Sequence, residues 1–154
     1  MAKYYRRRRY SRKGKYNIEN RPVALTASST AENGFYQSST QIVPPSNTEG
    51  VRQVARMTIS LTPLSGTPNP FFWALVYIPE GAVTTGLFPT PTTLFQPSNY
   101  VLNSGIADGE AGPIRISSRL RKNLNANDQI YLLTASPTSG QQFTGLVRYA
   151  IKFN

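Results

Sequence analysis

Short stretches of apolar residues, separated by turn-forming residues, run from residue 23 to the end of the chain. In VRQVARMTISLT, Met57, Ile59 and Leu61 alternate with polar side chains, which is the pattern of a strand with one buried face. No window keeps the 3.6-residue apolar period of an amphipathic helix. The pattern therefore predicts eight strands, over residues 23–29, 35–43, 51–62, 71–79, 99–107, 113–120, 128–135 and 143–153.

One of these strands is apolar on both faces. In FFWALVYI, from Phe71 to Ile78, apolar residues occupy both the odd and the even positions, and so both faces of the strand. Such a strand is central in its sheet and covered on both sides, on one of them by another sheet. We expect Trp73 and Tyr77, which share one face of it, to pack in the core.

The segments between the strands are rich in residues that favour turns. The chain has 12 prolines and 11 glycines, and Asn127-Asp128 is a plausible tight turn. Short strands with turn signals at this spacing are typical of an antiparallel sandwich or barrel. The predicted fold class is all-β, an eight-stranded antiparallel jelly-roll sandwich preceded by a disordered basic N-terminal arm.

The positive charge of the chain is concentrated at its N-terminus. Residues 1–22 hold nine of the 17 Lys and Arg residues and one of the seven carboxylates, which gives a net charge of +8 out of a total of +10. A segment with so much like charge and few aliphatic residues cannot offset its ordering entropy by burial. The sequence therefore divides into a disordered arm, 1–22, and a shell domain, 23–154, with a net charge of +2.

The composition of the arm points to a single-stranded nucleic acid as its partner. Its arginines and lysines can neutralise phosphates, and its interleaved tyrosines can stack on unpaired bases. The same exposed charges would serve for nuclear import or as a solvated tail. The candidate nucleic-acid-binding residues are Lys3, Tyr4, Tyr5, Arg6, Arg7, Arg8, Arg9, Tyr10, Arg12, Lys13, Lys15 and Tyr16.

The body of the chain has a second group of candidate nucleic-acid-binding residues, in GPIRISSRLRKNLN. As a strand, this segment places Arg115, Arg119 and Arg121 on one face, with Lys122 beside them. The alternatives are an ordinary solvated face or arginines paired with carboxylates. The pairs Arg52 and Arg56, and Arg148 and Lys152, share faces in the same way and are weaker candidates.

The residue types disfavour an enzyme. The chain has no histidine and no cysteine, so it lacks the commonest general base, the cysteine nucleophile and the usual transition-metal ligands. Its few carboxylates are scattered, and its glycine spacings match neither a phosphate-binding loop nor a dinucleotide fingerprint. We predict no catalytic site, no metal and no cofactor. Because the sequence starts with charged residues and has no long apolar run, we expect no secretory leader and no membrane insertion.

Four stretches together resemble the coat proteins of small circular single-stranded DNA viruses that encode a replication-initiation protein. They are the arm YYRRRRYSRKGKY, the segments PFFWALVYIPEG and YVLNSGIADGEAGPIRISSRLRKNLNANDQIYLL, and the final GLVRYAIKFN, which cover about half the chain. The resemblance implies a jelly-roll subunit, sixty copies of which assemble into a small icosahedral shell. It also implies an inward-facing arm that packages the genome, a host nuclear import receptor as a partner, and localisation to the virion and the host nucleus.

Two alternatives remain open on the residues alone. The chain is compatible with a cellular nucleic-acid-binding module of the ribosomal type, which would present a basic folded face and would not self-assemble. It is also compatible with the coat protein of a single-stranded RNA virus or satellite, because an arginine-rich arm does not distinguish DNA from RNA. The near-neutral body favours a coat protein over the cellular module.

Overall fold

A computed structural model of the chain describes residues 16–47, 50–65, 70–94, 98–108 and 112–153. Within these ranges the chain is all-β and contains no α-helix. The strands, in chain order, are β1 (Asn17–Thr26), β2 (Ala31–Glu32), β3 (Phe35–Val43), β4 (Arg52–Ser65), β5 (Pro70–Ile78), β6 (Val101–Asp108), β7 (Ile114–Leu124), β8 (Gln129–Ser136) and β9 (Gln142–Phe153).

The described residues thus form nine strands rather than the eight expected, and the additional one is β2. It makes a hairpin with β3, in which Glu32 pairs with Phe35 across Asn33 and Gly34. These two residues have φ values of 52° and 82°, the left-handed pair that a two-residue hairpin of type I′ requires. Asn-Gly is the favoured sequence for that turn, so the signal for β2 was present in the sequence.

The nine strands form two antiparallel sheets. The first sheet has the order β1-β9-β4-β7, and the second has the order β2-β3-β8-β5-β6. The first sheet is built from strands that are not consecutive in the chain, since β9 pairs with β1 and β4, and β4 also pairs with β7. The second sheet combines the consecutive pairs β2–β3 and β5–β6 through β8, which pairs with both β3 and β5. The all-β, antiparallel class is confirmed.

The main hydrophobic core lies between the two sheets. Ile59, Leu61 and Tyr149 from the first sheet and Phe71 and Leu132 from the second are almost completely buried in it. Trp73 and Tyr77 pack against this cluster, as expected. Apolar burial of this extent is the dominant favourable term in folding.

Trp73 is accommodated because the residue opposite it on β6 is a glycine. Trp73 pairs with Gly105, and a Cβ atom added there would lie 2.7 Å from Cζ2 of the indole ring. No side chain fits in that space, so the glycine allows the large ring to lie against the neighbouring strand.

A second, smaller cluster covers the outer face of the second sheet. Ala74, Val76, Ile78 and Leu133 are buried there, and the segment after β5 contributes Leu87 and Phe88. The segment 79–94 therefore covers this sheet face with the chain's own residues. This confirms that β5 is covered on both sides.

The first strand begins earlier than the sequence indicated. Residues 17–22, predicted to belong to the disordered arm, form the start of β1 and pair with β9 from Asn17↔Ile151 to Pro22↔Leu146. Their two charges, Glu19 and Arg21, cancel, and Glu19 accepts a hydrogen bond of 2.5 Å from the hydroxyl of the buried Tyr149. The boundary at residue 22 is therefore wrong by the length of this pairing.

Candidate nucleic-acid interface

The side of the first sheet that faces away from the core is rich in cations. Strand alternation places Ile59 of β4, Ile116 of β7 and Val147 of β9 in the core and the residues between such positions on the outer side. Five basic residues occupy outer positions, and we call this surface the basic face. They are Arg115, Arg119 and Arg121 on β7 and Arg148 and Lys152 on β9.

The alternation predicted for β7 is confirmed at its two isoleucines and three arginines, whereas Leu120 is 39% exposed. Ile114 and Ile116 are buried, whereas Arg115, Arg119 and Arg121 are exposed. The register gives the same result, because Ile116 pairs with the buried Ile59, and Arg115 pairs with the exposed Ser60. Three of the four candidate body residues therefore lie on one surface.

The basic face continues across β4 to β9. Thr58 on β4 pairs with Arg148 on one side and Ser117 on the other, and Gln53 pairs with Lys152 and Asn123. Arg148 is exposed and Lys152 is half-buried. These two residues, which the sequence ranked as weaker candidates, thus lie on the same sheet face as the arginines of β7.

Arg56 lies within this surface at an irregular point of β4. The register shifts between Ala55 and Met57 against β7 and between Ala55 and Thr58 against β9. Arg56 is exposed and has φ 54°, a left-handed conformation that is uncommon for a residue with a side chain. The sequence held a signal for this bulge, since Val54 and Met57 are both buried although they are three residues apart.

The carboxylates that the structure describes all lie away from the basic face. Glu32 is on β2 and Asp108 at the end of β6, both in the second sheet, and Glu80 follows β5. Glu19 has the inward parity of β1, and Asp128 is buried between β7 and β8. The near-neutral body is therefore strongly polarised, because six of its eight Lys and Arg residues lie on one sheet face, Arg52 and Lys122 being the exceptions.

The arginines of this surface have no protein partner among the described residues. No hydrogen bond or ion pair joins the guanidinium groups of Arg56, Arg115, Arg119, Arg121 or Arg148 to another side chain or carbonyl there. Guanidinium groups present rigid forks of donors that match the oxygens of phosphate. Exposed and unpaired, these groups are available to a polyanion.

Tyr16 connects the predicted arm to the basic face. Its hydroxyl donates a hydrogen bond to Gln53, and Nζ of Lys152 lies 5.7 Å from the centroid of its ring. The chain therefore enters β1 at the edge of the basic face. The other candidate binding residues of the arm, from Lys3 to Lys15, lie outside the described residues.

Lys122 does not belong to the surface formed by its neighbours. It has the opposite parity to Arg121 and pairs with the buried Val54. Its Nζ lies 3.8 Å from the centroid of the Tyr77 ring, a cation–π contact that points towards the second sheet. The prediction that Lys122 contributes to the same surface as the three arginines is therefore wrong.

Tyr77 in turn is tied to Asp128. Its hydroxyl donates to the Asp128 carboxylate at 2.8 Å, and the backbone N–H of Asn125 donates to the same carboxylate at 2.7 Å. Burial, together with the hydrogen bond to Asp128, raises the pKa of Tyr77 to about 12. These bonds fix the turn at Asn127, whose φ of 63° agrees with the predicted tight turn.

Arg52 has a structural role instead of a surface one. It is 4% exposed, and its guanidinium donates to the carbonyl oxygens of Pro44 at 3.0 Å and Asp128 at 3.1 Å. It links the segment after β3 to the turn before β8. The prediction that Arg52 shares a face with Arg56 is wrong, because the bulge separates their parities.

Carboxylates do not cluster in the described part of the chain. No group of three or more carboxylates lies close enough to hold a metal ion there. No helix of the described residues is long and apolar enough to cross a membrane. In comparisons with known proteins, neither a family model nor a curated protein sequence matches this chain.

Proposed function

We propose that this chain is a viral coat protein that assembles with copies of itself and packages single-stranded nucleic acid. The arm and the basic face act together on the packaged strand, and the rest of the surface forms the shell. In the full proposal the shell is a 60-subunit icosahedron, the genome is circular single-stranded DNA, and the arm also directs nuclear import. DNA, the copy number and the import receptor rest on the sequence resemblance alone.

The observation that carries the proposal is the segregation of charge. The unpaired cations of the folded body lie on one sheet face, and the arm, with its net charge of +8, joins that face at Tyr16. A polyanion that engages the arm is thereby brought against the basic face. A shell subunit requires such polarity, since the surface turned to packaged phosphates must differ from the surfaces turned to other subunits and to solvent.

The nesting of the strand pairs supports a jelly-roll subunit. The hairpin β5–β6 is enclosed by the pairs β4–β7, β3–β8 and β1–β9, and every link except β2–β3 and β5–β6 passes from one sheet to the other. A long antiparallel ribbon folded over on itself gives this order, and the jelly roll is its eight-stranded form. The short β2 is an addition at the edge of the second sheet.

One observation favours a second candidate function, a cellular nucleic-acid-binding module. Such a module would bind its target through a basic folded face without assembling, and the basic face meets the first of these conditions. The near-neutral net charge of the body therefore does not separate the two candidates. Self-assembly is what distinguishes them.

The test is expression of the full chain followed by electron microscopy and by the ratio of absorbance at 260 nm to that at 280 nm before and after nuclease treatment. A coat protein gives uniform particles whose nucleic acid survives the nuclease. A monomer that binds oligonucleotide at low salt but never assembles would replace the coat proposal with the cellular module. A monomer that binds no nucleic acid would remove both.

A further inference from the structure

The bulge at Arg56 combines backbone strain with crowding of like charges. Left-handed φ values are unfavourable for residues with a Cβ atom, and Arg56 has φ 54° in the middle of a strand. Such strain persists only where the surrounding structure imposes it, and it is found most often at functional sites. The bulge therefore requires an explanation beyond the packing of β4.

The part of β7 opposite this bulge also contains arginines, Arg119 and Arg121, on either side of Leu120. Ala55 pairs with Arg121 and Met57 with Ser118, so Arg56 lies opposite the intervening segment of β7, which contains Arg119. Like charges on facing strands destabilise a sheet. No carboxylate described by the structure lies on this face to compensate them. Two unfavourable features thus coincide at one point of the basic face.

We propose that Arg56, Arg119 and Arg121 form a binding site for one backbone phosphate of a nucleic-acid strand. Bulges are known to re-aim a side chain, and here the bulge adds an arginine from β4 to the two of β7. The negative charge of a phosphate would offset the crowded positive charges, and its oxygens would accept hydrogen bonds from several guanidinium groups. The site rests on the proposed function and sharpens it, because it assigns one fixed contact on an otherwise diffuse surface.

Such a site would contact the backbone phosphate of the strand and not its bases. Contacts to phosphate position a strand without carrying sequence information, and Tyr16 is the aromatic residue identified on this face for stacking. We therefore expect the site to contribute equally to DNA and RNA of any sequence. Discrimination in favour of unpaired bases would depend on the tyrosines of the arm.

The decisive variant is Arg56→Gly in the full chain. Glycine adopts left-handed φ values without strain and also removes one of the crowded charges. We expect the urea midpoint of unfolding to rise while the affinity for a labelled oligothymidylate falls about fivefold at 0.1 M salt. The matched control is Arg115→Gln, on the same face but at a regular strand position opposite Ser60, which should lower the affinity similarly without raising the midpoint. Arg56→Asn, which also tolerates the conformation, repeats the test.

A double-mutant cycle tests whether one phosphate is shared. If Arg56 and Arg119 hold the same phosphate, combining Arg56→Gly with Arg119→Gln should cost at least about threefold less affinity than the product of the single effects. Combining Arg56→Gly with Arg115→Gln should be multiplicative, because Arg115 pairs with Ser60, further along β4 from the bulge. Multiplicative behaviour in both cycles, or a lower midpoint for both Arg56→Gly and Arg56→Asn, would overturn the site.

The controls separate this inference from the function on which it rests. If Arg115→Gln weakens binding and the Arg56 variants do not, the basic face binds nucleic acid and the phosphate site is wrong. If none of the face variants weakens binding, the proposed role of the face fails as well. Binding to phosphatidylglycerol vesicles without binding to oligonucleotide would assign the phosphate to lipid and reject the proposal.

Discussion

Arg121 and Lys122 are neighbours in the sequence, yet the structure places them on opposite sides of the first sheet. Arg121 is exposed on the basic face, whereas Lys122 is half-buried beside Tyr77. Replacing each in turn by glutamine removes one positive charge from the same strand. Net charge and strand propensity are therefore closely matched between the two variants, and only the direction of the lost charge differs.

We expect Arg121→Gln to weaken nucleic-acid binding and Lys122→Gln to lower the stability of the fold. For single-stranded nucleic acid, each phosphate contact contributes about 0.7 to the slope of log K against log salt. If Arg121→Gln removes one such contact and leaves the affinity at 1 M salt unchanged, the affinity at 0.1 M salt should be about fivefold lower than that of the parent. Because Arg121 is exposed and unpaired, its loss should change the free energy of unfolding by less than about 0.5 kcal/mol. Lys122→Gln loses the contact at 3.8 Å to the Tyr77 ring and should cost about 1 kcal/mol of stability. Its affinity should stay within about twofold of the parent, because its charge is turned away from the basic face.

Fluorescence anisotropy of a labelled oligothymidylate over a range of salt concentrations measures the affinity and its slope. Urea unfolding followed by the emission of Trp73, the single tryptophan, measures the stability. The arm is identical in both variants, so its large contribution to binding cancels in the comparison. An equal loss of affinity in the two variants, or a larger loss for Lys122→Gln, would refute the assignment of faces.

Three further outcomes follow from the packing and the pKa shifts. A Cβ atom at Gly145 would lie 2.0 Å from the carbonyl oxygen of Ser60 on β4, so Gly145→Ala should destabilise the chain by about 3 kcal/mol or more, measured as the urea midpoint. Asp128→Asn weakens a carboxylate that accepts three hydrogen bonds and should cost about 1–3 kcal/mol in the same assay. Burial raises the pKa of Tyr149 above its ordinary value and that of Tyr77 to about 12, so the folded state retains these protons longer than the unfolded one. Stability should therefore be full below about pH 10 and fall as the pH rises towards 12, and Tyr149→Phe should flatten that fall.

The β class and most strand positions could be predicted because they depend on local alternation. The alternation of Met57, Ile59 and Leu61 predicts the buried face of β4 whichever strands pair with it. The continuous apolar run of β5 likewise predicts burial on both sides. The start of β1 could not be predicted in this way. Residues 17–22 are polar and exposed at most positions, and only their pairing with β9, distant in sequence, makes them a strand.

The candidate site could be predicted only in part, because part of it depends on local alternation and part on the pairing of distant strands. Parity within β7 is local, and it correctly placed Arg115, Arg119 and Arg121 together. That Arg148 and Lys152 join them depends on β4 lying between β7 and β9, which no local pattern encodes. The prediction for Lys122 is wrong because Lys122 directly follows Arg121, and successive side chains of a strand point to opposite faces.

The basic face and the core are products of one alternation, and this links binding to folding. Along β7 and β9 each step that buries an apolar residue turns the next residue outwards, so a slip of one residue would move Arg115 and Arg148 into the core and Ile116 and Val147 to the surface. Burying two unpaired charges is far more costly than any surface contact, so the register that forms the core also fixes the positions of the cations. At Arg56 this coupling is relaxed, because the bulge allows an additional charge to reach the surface without shifting the buried residues on either side of it. The buried residues of β7 and β9 thus fix where the cations of these strands lie, and the bulge adds Arg56 to them at the expense of strand regularity.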